Sequence, residues 1–407
     1  MSSVWGRVVK KELGEMGFTQ GGGKINWFPG HMAAATRAIR DRLKLANLVI
    51  DVRDARIPMT SVNGDLQSVL SSKRRVIALN KKDLANPNVT NKWIQHFDSL
   101  EQDCLLLNAH STNSVKKGSY ILQLLQLVEL KLKEVISREP TLLVMVVGVP
   151  NVGKSSLINS IHQIASTRFP VQEKKKRATV GPLPGVTQDI AGYKIAHQPS
   201  IYVLDTPGVL VPSISDIEIG LKLALTGHIA PLGINGAIFI YEAGSIQHLW
   251  SVKDSVVGEE RLSQYLLAVL NSRSTPLHWK HSNNRGMEGR HFEDKGKVDG
   301  LKDFSPKRRN RLNESDAKSI EDLVMEVHRA LFLPFAEFNG SLEDENDLES
   351  LIEKQFIELQ KAFKIPHAKA GNDARTMVSK KFLSLFRTGR LGPITLDDLP
   401  CTSNVTS

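Results

Sequence analysis

From position 48 onward the chain sets short apolar runs against polar stretches. LVIDVRDA, RVIALNKKD, CLLLNAHS, LLVMVVGVP and IYVLDTPG each end in polar or glycine-containing residues, as strands do where they open into loops. Between them, residues 91–97 and 119–135 carry apolar positions at helical spacing. Strand, turn and helix in repetition predict βαβ units around a buried, mostly parallel sheet with flanking helices. Such an α/β fold binds its ligands at the carboxyl ends of the strands.

Past residue 212 the strand pattern fades. Leucine-rich helical stretches follow at 259–271, 316–331, 348–363 and 375–386, predicting a smaller helical domain. Residues 272–313 are poor in aliphatics, rich in Gly, His, Asn, Lys and Arg, and include KRRNR at 307–311, the composition of a basic flexible linker. The expected organisation is an extension (1–24), a sheet domain (25–215), connecting helices (216–271), the linker (272–313), a helical domain (314–392) and a tail (393–407).

A length of 407 residues fits two or three domains at about 150 residues each. No apolar run is long enough to cross a bilayer, so membrane insertion is not expected. The formal charge of +10 favours a polyanionic partner such as RNA. Cys104 and Cys401 have no metal-binding spacing, which points to a reducing compartment. In the extension, Trp5, Val8, Val9, Leu13 and Met16 lie at helical spacing with Arg7, Lys10 and Lys11 between them. That is the pattern of a mitochondrial targeting helix, although Glu12 and Glu15 also allow an amphipathic helix of the folded protein.

GVPNVGKS at 148–155 stands after an apolar strand and before the helical LINSIH, where a phosphate loop must stand. Backbone N–H groups from Asn151, Val152 and Gly153 to Ser156 would wrap phosphates. Lys154 would reach the β- and γ-phosphates, and Ser155 would offer its hydroxyl to Mg²⁺. DTPG at 205–208 places Asp205 toward Mg²⁺ and the Gly208 N–H toward the γ-phosphate; Thr187 in PGVT is the second hydroxyl for the metal. NKKD at 80–83 supplies Asp83, whose carboxylate can accept from guanine N1 and N2, with Lys81 beside it and Asn80 facing N7. In NAHS the Ala109 N–H is a candidate donor to guanine O6, or part of an ordinary turn. The base-reading motif therefore precedes the phosphate loop, the reverse of the usual order.

With NKKD upstream of GVPNVGKS, WFPGHM at 27–32 and DAR at 54–56, the chain resembles the circularly permuted ribosome-assembly GTPases, above all their mitochondrial DAR group. The resemblance covers residues 25–229, 253–270 and 374–392. It implies a permuted P-loop GTPase domain followed by a smaller helical domain. It further implies GTP and Mg²⁺ as ligands, hydrolysis that is slow until ribosomal particles stimulate it, and a partner in the rRNA and proteins of the large ribosomal subunit. The mitochondrial matrix is the implied location, with a chloroplast or cytosolic ribosome as the alternative; oligomeric state is left open.

In such families a hydrophobic residue, here Val209, follows DTPG where a water-orienting Gln stands elsewhere. The resemblance assigns the water to His31, a residue that also fits a helix cap, and it assigns a potassium ion to Asn151, which also fits a plain loop role. KKKR at 174–177 reads as a solvated stretch or an rRNA contact. In the last helix Val378, Phe382 and Leu385 share one face while Arg375, Lys380, Lys381, Arg387 and Arg390 lie elsewhere, which suits packing on one side with either RNA phosphates or, as a purely structural surface helix, solvent on the other. Residues 230–252 interrupt the family pattern with an apolar stretch that reads as a retained intron or an isoform. A phosphate-loop small-molecule kinase is the alternative enzyme class, opposed by NKKD; an RNA-binding scaffold that holds GTP without turnover is opposed by the intact Lys154, Ser155, Thr187 and Asp205 set.

Overall fold

The computed structural model describes residues 25–26, 30–109, 120–136, 139–168, 191–197, 200–209, 213–214, 216–229, 258–277, 314–366 and 372–400. They fold into two compact units, one of residues 259–386, the other of the described residues before 259 together with 387–400. The stretch read as connecting helices, 216–271, is thus divided between them.

In the larger unit the elements run β1 (Ile25–Asn26), α1 (Gly30–Leu45), β2 (Leu48–Asp54), α2 (Gly64–Leu70), β3 (Arg75–Asn80), a 3-10 turn (Lys82–Leu84), α3 (Pro87–Ser99) and β4 (Cys104–Leu106). They continue with α4 (Tyr120–Ile136), β5 (Thr141–Val147), α5 (Lys154–Arg168), β6 (Ala191–His197), β7 (Ser200–Asp205), β8 (Ser213–Ile214) and α6 (Ile217–Leu225). The main sheet has the order β4-β3-β2-β5-β7-β6. Its first five strands are parallel, as the apolar runs predict, and β6, an element not read from the sequence, pairs antiparallel with β7. β1 and β8 form a separate antiparallel pair.

Every residue of β2 is buried, the condition of a strand covered on both faces. On one face, Ile39 and Leu43 of α1 and Leu66 and Leu70 of α2 pack with Val49, Met145, Val147 and Val209. Farther along the sheet Trp93 and Phe97 of α3 pack with Ile77, Leu79 and Ala55. Besides Asp54 at its end, β2 carries two charges, Asp51 and Arg53. They lie two apart on one face and answer each other, Arg53 Nε and Nη2 donating to Asp51 Oδ2 at 3.0 and 2.8 Å. The guanidinium also lies 5.3 Å from the Phe97 ring centre.

α3 begins where a helix should, with Asn86 as cap accepting from Asn88 and Val89 N–H groups and Pro87 in the first turn. The parallel register sets Asp54 beside Asn80 and Asp51 beside Val147, so the carboxyl ends of β2, β3 and β5 lie at one edge. DAR, NKKD and the phosphate loop leave from that edge.

The smaller unit contains α7 (Glu259–Ser272), α8 (Glu314–Ala336), α9 (Glu345–Ala362) and α10 (Asn372–Arg387) up to Phe386. α7 is buried continuously from Leu262 to Asn271. Its buried Asn271 exchanges two side-chain hydrogen bonds, 2.8 and 2.9 Å, with Gln355 of α9. On α10, Val378 and Phe382 are buried. Arg375, read as an RNA contact, pairs instead with Glu260 and Glu353. Lys380 pairs with Glu259 at 3.6 Å and stays exposed, as do Lys381 and Arg390. The linker 272–313, apart from its first residues to 277, and the insert 230–252 lie outside the described residues.

Candidate nucleotide site

The phosphate loop leaves β5 and enters α5 at Lys154. Asn151 sits in the left-handed region at φ 55°, and Val152 is fully buried beneath the loop. Lys154 is buried, its Nζ donating to the Gly148 and Val149 carbonyls at 3.1 and 2.9 Å, so the ammonium is folded under the loop's own backbone. Burial pushes its pKa down to about 8, against the partial support of Asp205. Ser156 is buried at the start of α5.

Ser155 Oγ, in the first turn of α5, donates to Asp205 Oδ2 at the end of β7 at 2.9 Å. Burial raises the Asp205 carboxyl, which Lys154 and Ser155 only partly offset. Its Oδ1 is buried and makes no hydrogen bond. A hydroxyl and a carboxylate with one unmet oxygen fit Mg²⁺ chemistry, because this hard cation takes few protein oxygens and shares the rest with phosphates. Among the described residues no cluster of three His, Cys, Asp or Glu side chains exists to hold a metal by itself.

Gly208 of DTPG lies against the loop so closely that a Cβ there would stand 2.5 Å from Pro150 Cα and 3.0 Å from Lys154 Nζ, so only glycine brings this N–H near the phosphate position. Thr206 Oγ1 ties the same motif to β5 by donating to Val146 O at 2.7 Å. Val209 is buried in the core beside α1 and α2, with no side-chain atom to orient water.

Asn80 joins three motifs. Its Nδ2 donates to Val152 O at 2.8 Å and its Oδ1 accepts from Ala109 N at 2.9 Å. The expectation from the motifs is Asn80 facing guanine N7 and the Ala109 N–H facing O6; in the structure these groups face each other. The pairing leaves no room at Gly153, where a Cβ would meet Asn80 Nδ2 at 2.3 Å. Ala109 O in turn accepts from Ser160 of α5. Asp83, in the 3-10 turn, has an exposed side chain, as a base-reading carboxylate requires.

Lys81, at φ 60°, turns its ammonium away from solvent to Asp54 of DAR, 3.1 Å away. Asp54 is fully buried and also takes a two-pronged pair from Arg56, 3.0 and 2.8 Å, and lies 3.1 Å from His228 Nε2. Burial alone would raise this carboxyl, but Arg56, Lys81 and His228 hold it well below the usual carboxylate range. The other His228 nitrogen, Nδ1, is 2.6 Å from Pro150 O of the phosphate loop. Burial and Lys81 bring the His228 pKa down to about 4, so at neutral pH the ring holds one proton. Both neighbours are acceptors, so that proton serves one of them, Pro150 O from Nδ1 or Asp54 from Nε2. Next to it, Asn151 Nδ2 donates to Gly227 O at 2.8 Å and Arg56 Nη2 to Thr226 O at 3.0 Å.

Asp54, Arg56 and His228 form the part of the site that residue types did not reveal. DAR and TGHI are visible as words in the sequence, but their partnership spans 174 positions. His31 is the second residue of α1, with its side chain outside the described residues; Thr187 and the run 174–177 lie outside them altogether.

A family model described as a 50S ribosome-binding GTPase matches residues 143–272. Short integuments 2, mitochondrial, of Arabidopsis thaliana is 64% identical over 97% of this chain and 95% of its own length. DAR GTPase 2, mitochondrial, from the same plant is 35% identical over 91% of this chain and 90% of its own length. The chain belongs to the circularly permuted DAR GTPases. Ribosome biogenesis GTPase A of Bacillus pumilus is 36% identical over 52% of this chain and 71% of its own length. In this DAR GTPase the motif order of the sequence is thus a rewired connection around a P-loop site, with the phosphate-loop strand β5 central between β2 and β7. Among its described residues no helix is long and apolar enough to cross a membrane.

Proposed function

We propose that this DAR GTPase is an assembly factor for the large ribosomal subunit of mitochondria, acting in the matrix, whose GTP hydrolysis is slow until a ribosomal particle docks. The observation that carries the reading is the convergence of NKKD, the phosphate loop and DTPG at one sheet edge, joined through Asn80 and Gly208. The mitochondrial relatives and the bacterial ribosome biogenesis GTPase A supply the cellular setting.

In this reading Asp83 selects guanine, Lys154 neutralises the β- and γ-phosphates, and Ser155, Asp205 and Thr187 hold Mg²⁺, which supplies charge stabilisation to the phosphates when bound. A water oxygen attacks the γ-phosphorus, the bond to the β–γ bridging oxygen breaks, and GDP and phosphate leave. Val209 has no group for that water, so His31, on the first turn of α1, is assigned to orient it once the ribosome docks. Potassium at Asn151 would complement the developing phosphate charge.

The test is GTP hydrolysis by the purified protein with and without mitochondrial large subunits in potassium buffer, with ATP as control. Stimulation confined to GTP supports the proposal; failure of every ribosomal particle to stimulate would leave a GTPase with another partner.

A further inference from the structure

Residues 387–397 form a strap over the loops that follow β2 and β3. Arg387 anchors its start, donating to Leu225 O at 3.0 Å and Ala224 O at 2.9 Å. Farther on, Ile394 N donates to Leu84 O at 3.0 Å, the Thr395 hydroxyl accepts from Asn86 N at 3.1 Å, and Leu396 N donates to Arg56 O at 2.7 Å. Asp397 closes the strap. Its Oδ2 accepts from the Met59 and Thr60 N–H groups, both at 2.8 Å, its Oδ1 accepts from Thr60 Oγ1 at 2.6 Å, and Lys222 pairs with it at 3.3 Å. Leu391, Ile394, Leu396 and Asp397 are all buried.

Leu84 and Asn86 stand one and three residues after Asp83. The short 3-10 turn that carries Asp83 has only two backbone bonds of its own, Leu84 N to Lys81 O and Ala85 N to Lys82 O, at 3.0 and 3.3 Å. On its upstream side Asn80 ties it to the phosphate loop. On its downstream side the strap supplies the ties, at a backbone carbonyl and a backbone N–H that α3 and β3 leave unbonded.

We propose that the strap positions Asp83 for guanine recognition, with Ile394 and Thr395 as positioning residues that act through Leu84 and Asn86. A carboxylate accepting from two donors of one base tolerates little displacement, since both bonds must close together. Loss of the strap contacts therefore weakens binding of guanine more than binding of a base that offers a single donor. The inference rests on the reading of Asp83 as the guanine-reading group.

The experiment measures dissociation constants of GDP and of inosine diphosphate, which lacks the exocyclic amine, for the full chain and for Thr395→Val and Ile394→Pro. Thr395→Val keeps the side-chain volume and removes the acceptor; Ile394→Pro removes the N–H donor. Each is expected to narrow the GDP-to-IDP preference by about threefold or more, the effect of one neutral hydrogen bond. A general loss of stability would weaken both nucleotides in parallel and leave the ratio alone. A Thr395→Val protein that folds as wild type and keeps the wild-type ratio would overturn the proposal even if Ile394→Pro fails to fold. Asp83→Asn, measured alongside with xanthosine diphosphate, separates the two layers. If it shifts preference toward xanthine while the strap variants change nothing, the strap is exonerated; if it leaves base preference unchanged, the reading of Asp83 falls and the inference with it.

Discussion

Ser155 Oγ, in the first turn of α5, and Asp205 Oδ2, at the end of β7, meet at 2.9 Å, and the second Asp205 oxygen is buried without a hydrogen bond. Asp205→Ala should therefore abolish the Mg²⁺-dependent part of GTP affinity and leave binding in EDTA nearly unchanged. Nucleotide titrations with and without Mg²⁺ check this; an equal loss in both conditions would mean that Asp205 only supports the fold.

Lys154 gives the site a pH dependence with a definite sign. Its pKa in the free protein is about 8, lowered by burial, and bound phosphates raise it again. Below pH 8 the amine is already charged when nucleotide arrives. Above it, binding must take up a proton, so affinity should fall as pH rises, by up to about tenfold per unit. Calorimetry of GDP binding from pH 7 to 9, in buffers of different ionisation heat, measures both the affinity and the proton; a flat profile would contradict the assignment.

Asp54→Ala leaves Arg56 and Lys81 buried beside each other without their anion. A loss of about 3–5 kcal/mol is expected on urea unfolding. Because the folded carboxyl lies well below its unfolded value near 4, the stabilisation is complete above about pH 4 and disappears only as pH falls toward the folded pKa. Unfolding curves at pH 7 and pH 3 should therefore differ for the wild type by more than for the variant.

His31→Ala should leave GDP affinity intact and lower ribosome-stimulated turnover by about a hundredfold or more, the contribution of a positioned proton-handling group. Full stimulated turnover in this variant would end the catalytic assignment.

Potassium dependence is tested on Asn151. Hydrolysis should be faster in potassium than in sodium, and Asn151→Ala should erase the difference; equal rates in both salts for the wild type would remove the ion from the site.

The predicted helix at 91–97 corresponds to α3, and those at 259–271 and 348–363 to α7 and α9, with bounds extended by caps such as Asn86 and Asp344. β6 has no such signature. Its AGYKIAH lacks a run of apolar residues, and its pairing with β7 is irregular between Lys194 and Ala196. The N–H of Ala109 and the amide of Asn80 each suit the base when their motifs are taken singly; with Asn80 at the end of β3 and Ala109 in the turn after β4, they bond to each other.

Residue types alone place the phosphate loop, NKKD and DTPG at strand-to-loop transitions in their permuted order, because the residues of each are demanded within a few positions by backbone geometry and phosphate chemistry. They suffice also for a parallel sheet, through apolar runs too continuous for a half-exposed strand. Where the buried charges go is a matter of the folded chain. Asp54 finds His228, Asp397 finds Thr60, and the Arg387 guanidinium finds the end of α6, across separations of 174, 337 and 162 residues. A buried charge must be paired, but nothing local names its partner; that choice is made by which strand ends and which strap the fold brings to the same place.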